Sequence, residues 1–276
     1  MRNYRTYLRS NNVESVRIMG LKHFDGKVDT EYLRESAKRA ENIKQKSYEM
    51  MQLSEGMKVL DVGCGPGIDA RKISELVGDS GQVIGIDYDD KMIADAEQDA
   101  KSSNTQFIKA DVCAIPFADN SFDAVRAERL FQVLPRTVNF DLVLGEIIRV
   151  TKEDGVIVLV DSDWGTATVN YEDAELTNRL LHFFADQCRP HGYAGRQFYE
   201  LMKKHGLAVE RVEALPVYMY DFSETPFEKW LTREALEKKI ATEEEMNRWN
   251  NELNRKTENA EFFSLVNMIL VSGRKK

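Results

Sequence analysis

Residues 58–69, Lys-Val-Leu-Asp-Val-Gly-Cys-Gly-Pro-Gly-Ile-Asp, form an apolar run that closes on a glycine-dense turn and then opens into a helical pattern. Glycine lets the backbone approach a ligand more closely than a Cβ would permit, and the helix that follows offers the positive end of its dipole. Such a strand, turn and helix suit a polar small molecule, a phosphate or a carboxylate. The apolar run itself is of the kind buried on both faces of a parallel sheet.

The flanking segments supply that sheet. Apolar runs at 58–62, 82–87, 106–110 (ending at Asp111), 122–127 and 156–160 read as strands, with 207–220 an extended segment and 262–272 a final strand. Helical spacing lies between them. One helix is expected over 31–51, with Leu33, Ala37, Ala40, Tyr48 and Met51 on a broad face and Ile43 at its edge. A second covers 68–77 with Ile73, Leu76 and Val77 inward, a third 89–101, and a fourth carries Phe140, Val143, Leu144, Ile147 and Ile148 on one face. Residues 151–155 read as a turn. The alternation predicts right-handed crossovers and an α/β fold, a doubly wound sheet of seven mostly parallel strands.

After residue 162 the rhythm changes. Leu176, Leu180, Phe183 and Phe184 share helical spacing with Trp164 before them, a helix is expected over 196–205, and 226–253 reads as a strongly charged helix. The expected layout is one domain over 1–276. Residues 1–52 are a helical lid, 53–162 a ligand-binding core, 163–205 and 222–258 helical insertions over the site, and 206–221 and 259–276 the terminal strands.

Charge and cysteine usage narrow the function. A formal charge of −8 and a pI of about 5.3 argue against a nucleic acid held by phosphate contacts. Cys64, Cys113 and Cys188 are widely spaced and read as reduced thiols, Cys64 as a small residue filling tight space rather than a nucleophile. His23, His182, His191 and His205 do not cluster at metal-ligand spacing, so no metal is expected; His191, between Pro190 and Gly192, is the most functional of the four. The N-terminus has no apolar core of signal-peptide length, and no stretch approaches the ~20 apolar residues of a membrane span. A cytoplasmic protein with no membrane partner is expected.

Open α/β sheets bind ligands beyond the carboxyl ends of their strands. Those ends carry Gly63, Asp87, Asp111 and Ala127 with Glu128. The turn is G-x-G-x-G, and the dinucleotide fingerprint would need glycine where Ile68 stands. Asp87, 20 residues after Gly67, suits two ribose hydroxyls, because a carboxylate accepts through both oxygens. Asp111 suits an adenine amino group.

These residues resemble the class I S-adenosylmethionine-dependent methyltransferases, most closely the type 11 group that includes the ubiquinone and menaquinone biosynthesis methyltransferases. The resemblance covers about 58–164 and rests on VLDVGCGPG, VIGIDYDDKMI, FIKADV, IPFADNSFDAV leading into AERLFQVLP, and DGVIVLVDSDWGT; GRQFYELMKKHGL is a looser likeness. It implies S-adenosylmethionine as cofactor. Gly63 and Gly65, with Cys64 between them, would line its methionine part and Asp87 would hold the ribose. Tyr88 and Met92 would flank the adenine, Asp111 and Val112 would bond its edge, and Ala127 would offer its carbonyl to the amino group. Val133 stands where many relatives have histidine, so a base role does not transfer. Glu128, Arg129 and Gln132 become the polar candidates for the catalytic side, with His191 from the insertion.

Several of these residues also have structural readings. Asp61 is expected as a hydrogen-bonding support behind the turn, and Arg129 either pairs with Glu128 or lines the substrate pocket. Trp164, Phe183, Phe184, Tyr193, Tyr218, Tyr220, Phe222 and Trp230 are expected mostly in the core, although the aromatic content of the insertion fits an apolar or cationic substrate. The charged run 233–256 reads as a solvated face. The leading expectation is methyl transfer to a small molecule at an oxygen, nitrogen or carbon acceptor. RNA or protein methylation, non-catalytic cofactor binding and a nicotinamide-dependent oxidoreductase are the alternatives.

Overall fold

The structure is a computed structural model and describes residues 30–100 and 102–276. Its strands are β1 (Lys58–Val62), β2 (Gln82–Asp87), β3 (Thr105–Lys109), β4 (Phe122–Glu128), β5 (Thr151–Val169), β6 (Ala208–Met219) and β7 (Ser264–Arg274). They form one sheet in the order β3-β2-β1-β4-β5-β7-β6. β1 to β5 run parallel, and β7 is antiparallel to both β5 and β6. The strand order reverses between β1 and β4, the position at which such sheets open a ligand crevice.

Both faces of the sheet are covered, as its continuous apolar runs require. Leu60, Val62, Ile84 and Ile86 pack with α5 (Phe140–Val150) and α7 (Ala194–Lys204). Val59, Val83 and Val158 pack on the other side with α2 (Glu41–Met51) and α3 (Ile68–Val77). α4 (Asp90–Gln98) follows β2, capped by the Asp89 carboxylate, which accepts from the N–H groups of Lys91 and Met92.

A third core stands apart. Trp164, Leu180, Phe184, Phe227, Trp249 and Phe262 hold together α6 (Ala174–Phe183), α8 (Thr232–Glu237) and α9 (Glu243–Glu258) as a cap. β5 carries this cap past the ligand edge of the sheet. It pairs with β4 as far as Val160 and then continues along β7 to Val169, where it meets Ser264.

Several expectations need correction. The helix over 31–51 is two helices, α1 (Thr30–Arg39) and α2, broken at Ala40 (φ −98°, ψ 15°). α2 docks on its own line, so Ile43 is fully buried rather than at an edge. Leu76 does not face inward; it is 41% exposed. The turn expected at 151–155 lies inside β5, and the segment beginning at 163 opens as strand, because β7 supplies pairing partners to Asp163 and, after a register shift, to the β-branched Thr168 and Val169. The charged helix over 226–253 is interrupted: a π-turn (Phe227–Leu231) leads into α8, the chain reverses at Lys239 (φ +55°), and α9 starts afresh with a capping box between Thr242 and Glu245. Tyr218 and Tyr220 lie outside the core, the second 65% exposed. Residues 1–29 of the expected lid, His23 among them, and the end of the helix expected to reach Lys101 lie outside the described residues.

Candidate active site

At the end of β1 the chain takes left-handed φ values at Gly63 (+73°), Gly65 (+52°) and Gly67 (+71°), which only glycine adopts without strain. The N–H groups of Gly63 and Cys64 both donate to the Ile86 carbonyl, at 2.8 and 3.0 Å, and fasten the turn to β2. A Cβ on Gly67 would lie 2.5 Å from the Phe107 ring and one on Gly63 3.0 Å from Leu130. On Gly65 it would meet only Leu33 of α1, at 3.6 Å, so the open side of the turn faces that helix.

Asp87 ties this turn to the next strand end. Its Oδ2 accepts the Gly65 N–H and its Oδ1 the Asp89 N–H, both at 2.9 Å, leaving each oxygen a further lone pair. Burial pushes its pKa up, and these N–H groups oppose the shift. Tyr88 is exposed beside it and Met92 is buried. Asp111 accepts the Cys113 N–H at 2.9 Å, with Val112 half-buried between them, and Ala127 is buried at the end of β4. Burial, with Asp111 alongside, pushes the Cys113 thiol up to about 12. Burial also raises the Cys64 thiol, whose Sγ would lie 2.9 Å from a Cβ on Gly85; a thiol so placed fills space.

Behind the turn lies a buried ionic cluster that the sequence reading missed. Lys44 of α2 donates to both Asp69 oxygens (2.9 and 2.7 Å) and to Glu128 Oε1 (2.9 Å), which uses all three of its protons. Arg126, with no exposed surface, donates through Nε to Ser47 Oγ at 2.9 Å and pairs through Nη2 with Glu128 Oε2 and with Asp69 Oδ1 at 3.2 Å. Its Nη1 lies 3.5 Å from Asp61 Oδ1, and the Tyr48 hydroxyl donates to Asp69. Burial alone would raise the carboxyls of Asp69 and Glu128, yet Arg126 and Lys44 hold both below their ordinary values. Asp61 is different. Burial outweighs Arg126 and lifts it to about 7, and its Oδ2 accepts no hydrogen bond. The signal was available, since Arg126 interrupts an apolar strand and a charge there needs partners.

The cluster decides which ligand the turn fits. An ionised carboxylate, Asp69, already occupies the first turn of α3, where a dinucleotide would place its pyrophosphate. The open side of Gly65, the orphaned Asp61 oxygen and the spare lone pairs of Asp87 fit instead a nucleoside that carries a compact charged chain with an ammonium group.

Beyond β4 the chain turns through Arg129 (φ +52°), whose N–H donates to the Val160 carbonyl at 2.8 Å. A left-handed arginine is strained, and such strain gathers at functional sites. Its Nε lies 3.3 Å from Glu128 Oε1 and its Nη1 donates to Ser36 of α1. In the following turn (Phe131–Val133) Gln132 is buried: its Oε1 accepts from Ser162 Oγ (2.8 Å) and Trp164 Nε1 (2.9 Å), and its carbonyl accepts the His191 N–H (3.2 Å). The His191 ring packs 4.7 Å from Phe140 with Nε2 3.4 Å from the Pro135 carbonyl, and burial pushes its pKa down. Glu128 thus sits with Arg129, and Gln132 with His191. Among the described residues no cluster of three or more His, Cys, Asp or Glu side chains is arranged to hold a metal, and no helix is long and apolar enough to cross a membrane.

Comparison with known proteins agrees with this geometry. A family model described as "Methyltransferase domain" matches residues 53–260. The chain therefore belongs to the methyltransferase-domain family. The demethylmenaquinone methyltransferase of Staphylococcus carnosus is 35% identical over 120 residues, 43% of this chain and 48% of that protein. A protein of Streptomyces fradiae described as an uncharacterized 37.1 kDa protein in transposon TN4556 is 31% identical over 160 residues, 57% of this chain and 45% of its own length. The chain thus spans about half the length of these curated relatives. YcgJ from Bacillus subtilis shares the fold, with a TM-score of 0.56 at 22% identity over 86% of this chain and 99% of that one.

Proposed function

We propose that this protein transfers a methyl group from S-adenosylmethionine to a small-molecule acceptor held between the glycine turn and the cap. The observation that carries the reading is the pairing of Asp87 with the Gly65 N–H, which couples a ribose-type acceptor to a cradle open on one side. The cofactor, when bound, supplies an already activated methyl group. The protein has then to align and desolvate, which in well-oriented systems is worth ~7–11 kcal/mol.

Gly63, Cys64 and Gly65 would hold the methionine part and Asp61 its ammonium. Asp87 would take the ribose hydroxyls, Tyr88, Met92, Asp111 and Val112 the adenine, and the Ala127 carbonyl the amino group. Glu128 takes Lys44 and Arg129 on one oxygen and Arg126 on the other. A proton moved onto it would compete with three cations, so it serves as a fixed anion that orients Arg129. Arg129, part-exposed and strained, is the acceptor-side residue of the four, with Gln132 and His191 building the wall behind it.

α1 closes the cleft from above. Ser36 meets Arg129, Arg34 reaches Asp99 beyond α4, and Arg39 reaches Glu224 of the cap at 3.4 Å. These polar tethers on the rim suit a lid that must open. The cap's aromatic interior and the acidic net charge favour a small acceptor over RNA, and the free cysteines Cys64, Cys113 and Cys188 favour a cytoplasmic location. Thermal-shift titration tests the proposal: S-adenosylhomocysteine should raise the Tm and NAD should not, and the reverse result sinks it.

A further inference from the structure

Asp161 has no part in the reading above, yet it lies fully buried where β5 leaves β4. Its Oδ2 accepts the Gln132 N–H at 3.0 Å and its Oδ1 the Ser162 N–H at 2.8 Å. Gln132 joins three segments: the turn after β4 through its own backbone, β5 through Asp161 and Ser162, and the loop before α7 through the His191 N–H. Its Oε1 also holds Trp164, whose indole packs edge-on against Phe184 at 5.0 Å within the cap core. α7 closes over the site, with Gly195 so near that a Cβ there would lie 2.5 Å from the Asp161 carbonyl.

We propose that Asp161 is a positioning residue whose carboxylate, through Gln132, sets the acceptor-side turn against β5 and the cap. The role rests on the acceptor-side reading of that turn. Two backbone N–H groups converge on one carboxyl, and the ionised form accepts from both most strongly; once protonated, the hydroxyl oxygen is the weaker acceptor and its hydrogen needs an acceptor of its own. A residue serving packing alone would do better as an uncharged side chain, because a buried charge is costly. Burial lifts the Asp161 carboxyl to about 7, against the pull of the Gln132 and Ser162 N–H groups and of its charged neighbours, Arg129 at the end of β4 and Arg189 in the cap loop. The latch is therefore made above neutral pH and slack below it.

Trp164 is the reporter. Intrinsic fluorescence titrated from about pH 5.5 to 8.5 should show a transition near pH 7 in the wild-type protein and none in Asp161→Asn. S-adenosylhomocysteine affinity at pH 8, by calorimetry, should stay within about threefold of wild type in that variant. A transition that survives Asp161→Asn, or is missing from the wild type, overturns the proposal, as does a cofactor defect of about tenfold or more. If the variant does not fold, hydrogen exchange of the wild type decides. Peptides spanning 129–134 and 161–164, corrected for intrinsic rates, should lose protection at pH 6 relative to pH 8 by about tenfold more than β1 does, and equal protection overturns the idea. Failure of the methyltransferase reading would show separately, as no S-adenosylhomocysteine binding to the wild type.

Discussion

Under the glycine turn, between α2, α3, β1 and β4, the protein buries three carboxylates among Lys44 and Arg126. Across the cleft, between β5 and the cap, it buries aromatic rings and a set of hydrogen bonds centred on Gln132, to which Asp161 contributes a carboxyl. On the proposed reading the first half presents a buried ionic cluster to the cofactor. The second offers shape and a few hydrogen bonds, which can be rebuilt for a different acceptor without disturbing the cofactor side. On that reading, one wall serves the cofactor and the other the acceptor.

The sharpest way to break that contrast is to remove one charge from each side. Arg126→Met should leave Glu128, Asp69 and Asp61 with Lys44 and, on Glu128 only, Arg129, and removing one partner of a buried ion pair costs on the order of 3–5 kcal/mol. Arg179→Met in the cap removes a part-exposed guanidinium from Glu245 and should cost about 0–1 kcal/mol. Urea unfolding midpoints of the two variants measure the difference. Equal losses would mean that the cluster under the turn is no more desolvated than the cap surface.

The cofactor wall was legible in sequence because its signals are local. Three glycines in five residues report the sign of φ, and Asp87 and Asp111 fall at the ends of recognisable apolar runs. The cluster behind it was not, since Lys44 and Arg126 meet only when α2 crosses the sheet, and a helical lysine between Ile43 and Ser47 looks like an ordinary solvated position. The acceptor wall was legible only in part. Trp164, Phe183, Phe184 and Phe222 reached the core as their hydrophobicity demands. The course of β5 past Gly165 depends on β7, about 100 residues later, and the break at Ala40 has neither proline nor glycine to announce it. The reversal at Lys239 is likewise a left-handed residue without a glycine.

A second pair of variants sharpens the division of labour. Asp87→Ala removes the acceptor for two ribose hydroxyls, and hydrogen bonds to a charged group are worth about 1.5–3 kcal/mol each. S-adenosylhomocysteine affinity by calorimetry should fall by about 2–3 kcal/mol, roughly 30- to 150-fold. Arg129→Gln should leave that affinity within about threefold while lowering turnover, as expected of a residue on the acceptor side. If Arg129→Gln weakened the cofactor as much as Asp87→Ala, the boundary between the two walls would be misplaced.

The smallest effect separates the carboxylates within the cluster. Asp61 has a folded pKa of about 7, above the ordinary 3.8, so between those values the folded protein holds a proton that the unfolded chain has released. Stability therefore falls as pH rises through this window, and Asp61 alone should contribute about 1–2 kcal/mol of that fall between pH 5.5 and 8. Asp69 and Glu128, held below their ordinary values, act in the opposite sense, but their contribution is complete by about pH 5.5 and drops out of the comparison. His191, whose pKa is depressed, adds stability as pH rises through about 6.5, and Asp161 adds a fall of its own, but both are present in wild type and in Asp61→Asn and cancel between them. Subtracting the Asp61→Asn pH profile of unfolding free energy from that of wild type should leave a single downward step toward pH 7. A flat difference would show that Asp61 stays ionised throughout, and that the third carboxylate of the cluster is balanced by a cation before any ligand arrives.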